Sequence, residues 1–211
     1  ITAAFAAAMM LSSCTTSEKA ATSATVPAAS TTGAKTLENL QTAFDGESNA
    51  NAKYSEFAKK ADAEGYTKVA SLFRAAARAE EIHLKNHAEV IKKMGGTPKA
   101  DIKLPEIKTT AENLKAAIEG ETYERDKMYV DFLAEARNVG NKDAVRTFNL
   151  AKAAEAEHAK LYGEALANLG SMKGGTTTYY VCSTCGYTTP DAKLEKCPVD
   201  FTTRDKFEEF K

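Results

Sequence analysis

Apolar residues recur along this chain at the three- and four-residue intervals of a helix that buries one face, and they do so in four long segments. The first stripe is Leu37, Leu40, Phe44, Tyr54, Ala58 and Ala61, in a segment running from about Thr36 to Glu64 and stopping at Gly65. The second is Val69, Leu72, Phe73, Ala76, Val90, Ile91 and Met94, from about Thr67 to the Gly95-Gly96 stop. A crossover broken by Pro98 and Pro105 follows, and Thr109-x-x-Glu112 has the form of a capping box that opens a third helix. That helix carries Leu114, Ala117, Met128 and Phe132 and stops near Gly140. The fourth runs from about Lys142 to Leu169 on Phe148, Ala151, Tyr162, Ala165 and Leu169.

Each stripe is interrupted by ionisable residues where Leu is expected: Glu47, then Glu80 and His83, then Glu121 and Glu124, then Glu155 and His158. An unpaired buried carboxylate costs several kcal/mol, so a core that holds these groups needs a compensating cation. One Glu-x-x-His pair on a helix is more simply a solvated face. Two such pairs, each on a core stripe and each matched by a core Glu from another helix, make the carboxylate-bridged dimetal pattern. Carboxylates with one imidazole per metal suit iron or manganese. Glu124, one turn beyond Glu121, adds a fifth carboxylate. Glu47 and Glu121 are 74 positions apart and Glu80 and Glu155 are 75, so the two helix pairs repeat one layout. Two short loops and one longer crossover give an all-α, ferritin-like four-helix bundle over residues 36–170.

The flanks differ in kind. Residues 1–13 are small or apolar and uncharged, too short a run to span a membrane, and read as the core of an export signal whose start is missing. Leu11-Ser12-Ser13-Cys14 resembles the lipobox of bacterial lipoproteins, which makes residues 1–14 a signal ending in a lipidated Cys14. Residues 15–35 are mostly Thr, Ser and Ala, a composition that reads as a disordered tether. Gly174-Gly175 marks a linker over 171–178, and residues 179–211 hold a short strand, Cys182-x-x-Cys185-Gly186 and Cys197-Pro198-Val199-Asp200. The formal net charge is −1 with both signs mixed along the helices, which argues against a nucleic-acid footprint. Four cysteines are too few for a disulfide scaffold at this length.

Four motifs, Ala43-Phe44-Asp45-Gly46-Glu47-Ser48, Glu80-Glu81-Ile82-His83, Gly120-Glu121-Thr122-Tyr123-Glu124 and Glu155-Ala156-Glu157-His158, precede the Cys-rich tail. On them, residues 36–211 resemble the rubrerythrins. The resemblance implies two non-haem iron ions held by Glu47, Glu80, His83, Glu121, Glu124, Glu155 and His158. Glu80 and Glu155 would bridge, His158 would be a permanent ligand, and His83 and Glu124 would trade places. Tyr54 and Tyr129 fall where family tyrosines hydrogen-bond ligand carboxylates. His87 has no family role and is expected to be a satisfied core or surface histidine. The tail resembles a rubredoxin module with its first knuckle intact, but Asp200 stands for the fourth Cys and Phe201 for the knuckle Gly. Cys182, Cys185, Cys197 and Asp200 would then hold one Fe or Zn. A Cys182–Cys185 disulfide in an exported protein is the alternative. The implied function is a peroxidase that reduces hydrogen peroxide to water in oxidative-stress defence, drawing electrons from an external donor through the tail. A ferritin-like iron-oxidising or storage protein is the alternative. A homodimer with one subunit's tail near the other's bundle is implied too. Any membrane contact is expected only through the lipid anchor, on the periplasmic or cell-surface side.

Overall fold

The computed structural model describes residues 31–211 together with the first two residues of the chain. The lipobox with Cys14, and the tether as far as residue 30, lie outside the described residues. Helix α1 spans Thr31–Ala63 and so takes in the last residues of the expected tether. Its early turns are held by the buried Thr36, whose hydroxyl donates to Glu135 at 2.6 Å. Helix α2 spans Thr67–Lys93, and after the crossover α3 spans Thr110–Tyr123 behind a complete Thr109/Glu112 capping box. Helix α5, Lys142–Ala167, is capped by Asn141, whose side chain accepts from the Ala144 N–H at 3.0 Å. Helix α1 packs on α2 and α3 on α5, and α2 and α5 meet across the middle, closing the ferritin-like bundle. Among the described residues no helix is long and apolar enough to cross a membrane.

The third bundle helix is not continuous. Glu124–Met128 form a π-helical turn between α3 and α4, the latter Tyr129–Asn138. A π turn holds one more residue than an α turn, so the apolar stripe slips by one position beyond it. Met128 is buried as expected, but beyond it Tyr129, Leu133 and Ala136 take the core face and Phe132 is only partly covered. Nothing in the spacing of apolar residues marks that slip, because either register reads as helical.

Two apolar clusters fill the bundle. One contains Tyr54, Phe57, Leu72, Phe73 and Tyr162; the other contains Leu40, Ile91, Tyr129, Leu133 and Phe148. On every helix the stripe passes from one cluster to the other through Glu47, Glu80, Glu121 or Glu155. The buried carboxylates thus form one layer with apolar packing on both sides.

The tail is a three-stranded antiparallel sheet in the order β2-β1-β3, with β1 Tyr179–Cys182, β2 Thr188–Thr189 and β3 Phe207–Phe210. It is seated on α2 and α5. Tyr179 and Val181 join the first apolar cluster. Arg78 on α2 donates to both carboxylate oxygens of Glu208 at 2.8 and 2.7 Å, a bidentate clasp across the seam.

Candidate metal centres

The four bundle helices aim their interrupting residues at one another. Glu47, Glu80, His83 and Glu155 each offer a ligand atom within 4.8 Å of the others, and so do Glu80, Glu121, Glu155 and His158. Glu80 and Glu155 belong to both sets. All six residues are buried. His83 Nδ1 lies 2.9 Å from both Glu80 Oε2 and Glu155 Oε1, aligned for a hydrogen bond with the first alone. His158 Nδ1 lies 2.8 Å from Glu155 Oε2 and 3.5 Å from Glu80 Oε1. Both Nδ1 atoms therefore face the carboxylates.

Hydrogen bonding within the layer is incomplete. Glu47 Oε2, Glu80 Oε1, Glu121 Oε2, both oxygens of Glu155 and His158 Nδ1 are buried without a hydrogen-bond partner. Native interiors leave few such groups, and here they converge on one place. A pair of cations bound by the unpartnered atoms satisfies them together. The donor set is that of a di-iron carboxylate centre.

Far sides of the ligands are tied down. Tyr54 donates to Glu121 Oε1 at 2.6 Å and Tyr129 donates to Glu47 Oε1. His83 Nε2 donates to the Cys185 carbonyl at 2.9 Å. His158 Nε2 lies 3.1 Å from Thr188 Oγ1 and 3.4 Å from the Gly186 carbonyl. In each imidazole the tail holds the Nε2 proton, so Nδ1, which bonds Glu80 in His83 and has no partner in His158, is the nitrogen a metal would take. These tail partners were not legible from spacing. The knuckle Gly was the one available sign: Gly186 has φ +77°, and a Cβ there would collide with the His83 ring and come within 3.2 Å of Ala79 Cβ.

Glu124 stands apart from both four-residue sets, half-buried on the π turn and facing Gly46 of α1. His87 is fully buried and bonded at both nitrogens, a satisfied core histidine in contact with Tyr129 and Thr147.

In the tail, Cys182, Cys185, Cys197 and Asp200 form a third cluster within 4.8 Å, and the three cysteines are free thiols rather than a disulfide. The two knuckles share one backbone plan. Gly186 N–H donates to the Cys182 carbonyl and Phe201 N–H to the Cys197 carbonyl, both at 3.0 Å. Asp200 follows Cys197 as Cys185 follows Cys182, and its oxygens lie 3.7 and 3.6 Å from Cys182 Sγ. Phe201 holds the left-handed conformation at φ +62° that Gly186 holds in the first knuckle. Three sulfurs and a carboxylate at this spacing suit Fe or Zn.

Charge in the bundle layer is strongly redistributed. Burial, and then the Glu155 and Glu47 carboxylates, push Glu80 up to about 7. Burial and neighbouring carboxylates raise Glu121 and Glu124 well above the usual range. Burial opposes ionisation of Glu47 too, but His83 and His87 outweigh it and hold Glu47 well below its usual value. His83 and His158 are raised despite burial, because the surrounding carboxylates favour the imidazolium.

A family model described as Rubrerythrin matches residues 38–166. Nigerythrin of Nitratidesulfovibrio vulgaris is 38% identical over 173 residues, covering 82% of this chain and 85% of its own. Rubrerythrin-2 of Clostridium acetobutylicum is 35% identical over 185 residues, covering 84% of this chain and 97% of its own. Among solved structures, fully reduced, all-ferrous nigerythrin superposes with a TM-score of 0.78 at 36% identity, covering 82% of this chain and 86% of that one. A Desulfovibrio desulfuricans bacterioferritin shares the fold at 22% identity, with a TM-score of 0.65 over 69% of this chain and 90% of its own.

Two predictions follow from the geometry of the layer. A carboxyl raised in the folded state keeps its proton longer than in the unfolded chain, so stability falls as pH rises through the interval between the two values. For Glu80 that interval runs from 4.5 to about 7, and it alone accounts for roughly 3 kcal/mol. Glu121, Glu124 and the two raised histidines act in the same direction, while the depressed Glu47 and Glu155 lose their contribution only in acid. Metal-free protein should therefore have a lower denaturant midpoint at pH 7.5 than at pH 5, and metal loading should abolish the difference. Equal midpoints without metal would contradict this account of the layer. Gly186→Ala should cost about 1–3 kcal/mol, from backbone strain and the collision with His83. It should also speed hydrogen exchange across 179–211; an unchanged melt and exchange pattern would show that the tail does not seat on His83.

Proposed function

The chain belongs to the rubrerythrin family, and from that premise we propose that it is a non-haem di-iron peroxidase that reduces hydrogen peroxide to water in oxidative-stress defence. The observation that carries this reading is the pair of buried donor sets sharing Glu80 and Glu155. Glu80 and Glu155 would be shared by two irons, with Glu47 and His83 completing one set and Glu121 and His158 the other. Two irons so held would supply the two electrons that peroxide reduction requires. The chain's own residues prepare that chemistry. Tyr54 and Tyr129 fix the rotation of Glu121 and Glu47, so neither carboxylate must reorganise to bind. The tail fixes which imidazole nitrogen is bare. The two apolar clusters exclude bulk water on either side of the layer. Each peroxide takes two electrons and two protons and leaves as two waters.

Glu124 would be a ligand held in reserve, able to take the place of His83. Its place on the π turn and the rise in its pKa beside Glu47 and Glu121 support that role. The tail passes electrons inward from an external donor. Its support is contact: the Cys185 carbonyl touches the His83 ring directly. Asp200 is the fourth ligand of the tail metal, supported by its equivalence to Cys185 in the repeated knuckle. A homodimer tethered through Cys14 to a periplasmic or cell-surface membrane completes the proposal.

Glu80→Ala or Glu155→Ala should lose peroxide reduction together with part of the bound metal, as iron analysis and turnover with a supplied reductant would show; full activity in either ends the di-iron assignment. Glu124→Ala should slow turnover by about tenfold or more while keeping most of the iron. Unchanged peroxide turnover in that variant, with mineral iron accumulating in the parent protein, would favour storage instead.

Asp200 offers a spectroscopic check in the full chain. Carboxylate oxygen is a harder donor than thiolate, so iron in the parent tail should lack the full four-thiolate charge-transfer absorption. Asp200→Cys should bring it back. An unmodified rubredoxin spectrum in the parent protein would remove Asp200 from the ligand set.

A further inference from the structure

The layer needs protons as well as electrons, and Glu47, Glu80 and Glu155 within it are each 0% exposed. A line of polar groups leads from Glu47 toward the surface. Tyr129 donates to Glu47, and its hydroxyl has one hydrogen, so toward His87 its oxygen accepts. His87 Nε2, 3.0 Å away, must then carry the proton and donate. Nδ1 is left bare and accepts from the Thr147 hydroxyl at 3.0 Å. Thr147 in turn lines a cleft of about 60 Å³ between α2 and α5. Asn86, Lys93, Asp143, Arg146 and the tail's Thr184 form its other walls. A cleft of that volume is large enough to admit water, whose share of liquid volume is roughly 30 Å³ a molecule.

The internal repeat supplies a control within the same molecule. Tyr129 corresponds to Tyr54, His87 to Tyr162 and Thr147 to Leu72, each 75 positions apart, as are the ligands Glu80 and Glu155. On that other side Tyr54 bonds Glu121, but Tyr162 Oη is buried without a hydrogen-bond partner and Leu72 belongs to the apolar cluster. One half of the repeat ends in a plug and the other continues to the surface cleft.

We propose that Thr147, His87 and Tyr129 form a proton relay that carries protons from the surface cleft to Glu47 at the edge of the di-iron layer. A hydronium ion reaching the cleft gives a proton to Thr147 Oγ1 and leaves as water, and Thr147 passes its own proton to His87 Nδ1. His87 releases the Nε2 proton to Tyr129, which gives its hydroxyl proton to Glu47. Each of the three relay groups takes one proton and gives one, so none is left charged. The hydroxyls then turn over, and the imidazole regains its Nε2–H form by giving its Nδ1 proton to one cleft water and taking an Nε2 proton from another, a reset that moves no net charge. Thr147 and His87 touch neither metal nor substrate; they are positioning residues for proton delivery, and the role rests on the peroxidase reading above.

Two readouts separate the relay from that reading. In full-length zinc-loaded protein, where the three imidazoles can be assigned by NMR, the His87 Nε2–H should exchange with solvent at least about tenfold more slowly in Thr147→Val than in the parent protein. Thr147→Ser should exchange as the parent does. In the iron-loaded protein, Thr147→Val and His87→Leu should keep both irons and the KM for peroxide. Their kcat should fall by about tenfold or more with a larger solvent isotope effect, and Thr147→Ser should restore it to within about twofold. Unchanged His87 exchange in Thr147→Val, or unchanged kcat in both iron-loaded variants, overturns the relay. Absence of peroxide turnover in the iron-loaded parent overturns the peroxidase reading instead, and the exchange measurement still decides whether the cleft is connected to the layer.

Discussion

Carboxylates crowded into the middle of an apolar bundle cannot all stay ionised without cations, and most of this structure is arranged around that constraint. Clusters of aromatic and aliphatic side chains above and below the layer exclude water, which raises the cost of every uncompensated charge. Metal-free, the layer divides the problem unevenly. Glu47 stays ionised beside His83 and His87, while Glu80, Glu121 and Glu124 are driven toward the neutral acid. Cations displace those protons. Metal binding and core stability are therefore one equilibrium, and the same packing that stabilises the bundle makes the layer a strong metal site.

The tail's place follows from the same layer. Its clasp at Arg78–Glu208 and its share of the apolar cluster bring the first knuckle against the bundle wall. There, backbone carbonyls of Cys185 and Gly186 and the hydroxyl of Thr188 meet the outer nitrogens of His83 and His158. Gly186 meets two demands at once: a left-handed backbone to turn the knuckle and a missing Cβ so the His83 ring can approach. The second knuckle faces no such ring, and Phe201 holds the same left-handed conformation with its side chain 74% exposed. A large side chain is tolerated at one knuckle and excluded at the other because only one of them touches the bundle.

The bundle and its ligands were legible because two independent patterns coincide in them: a helical apolar period, and acids and imidazoles on that period where burial would forbid them uncompensated. Capping at Thr109 and the helix-opening Asn141 are equally local and sit where such residues act. The π turn was not legible. It changes the register by one residue without altering the kind of residue at either candidate face, so Phe132 reads as core as easily as Leu133. The partners of the outer histidine nitrogens were hidden for another reason: they are mainly backbone carbonyls from a separate module, and carbonyls carry no side-chain signature. His87 looked like any buried histidine, since its meaning depends on Tyr129 and Thr147, which lie on two other helices.

The near-repeat shows how one layout gives two unequal halves. Ligand positions 80 and 83 return at 155 and 158, and the tyrosine at 54 returns at 129, all 75 apart. Glu47 and Glu121 are 74 apart, and the π turn of Glu124–Met128 supplies the extra residue between Glu121 and Tyr129. A strict repeat would give two equivalent metals with equivalent surroundings. The inserted residue instead brings Glu124 to one side of the layer without displacing Glu121, while Tyr129 stays in register with Glu47. Beyond the tyrosines the halves diverge in polarity, with His87 and Thr147 on one side against Tyr162 and Leu72 on the other. Repetition accounts for the buried charge that holds two cations, and departures from it account for what reaches each of them.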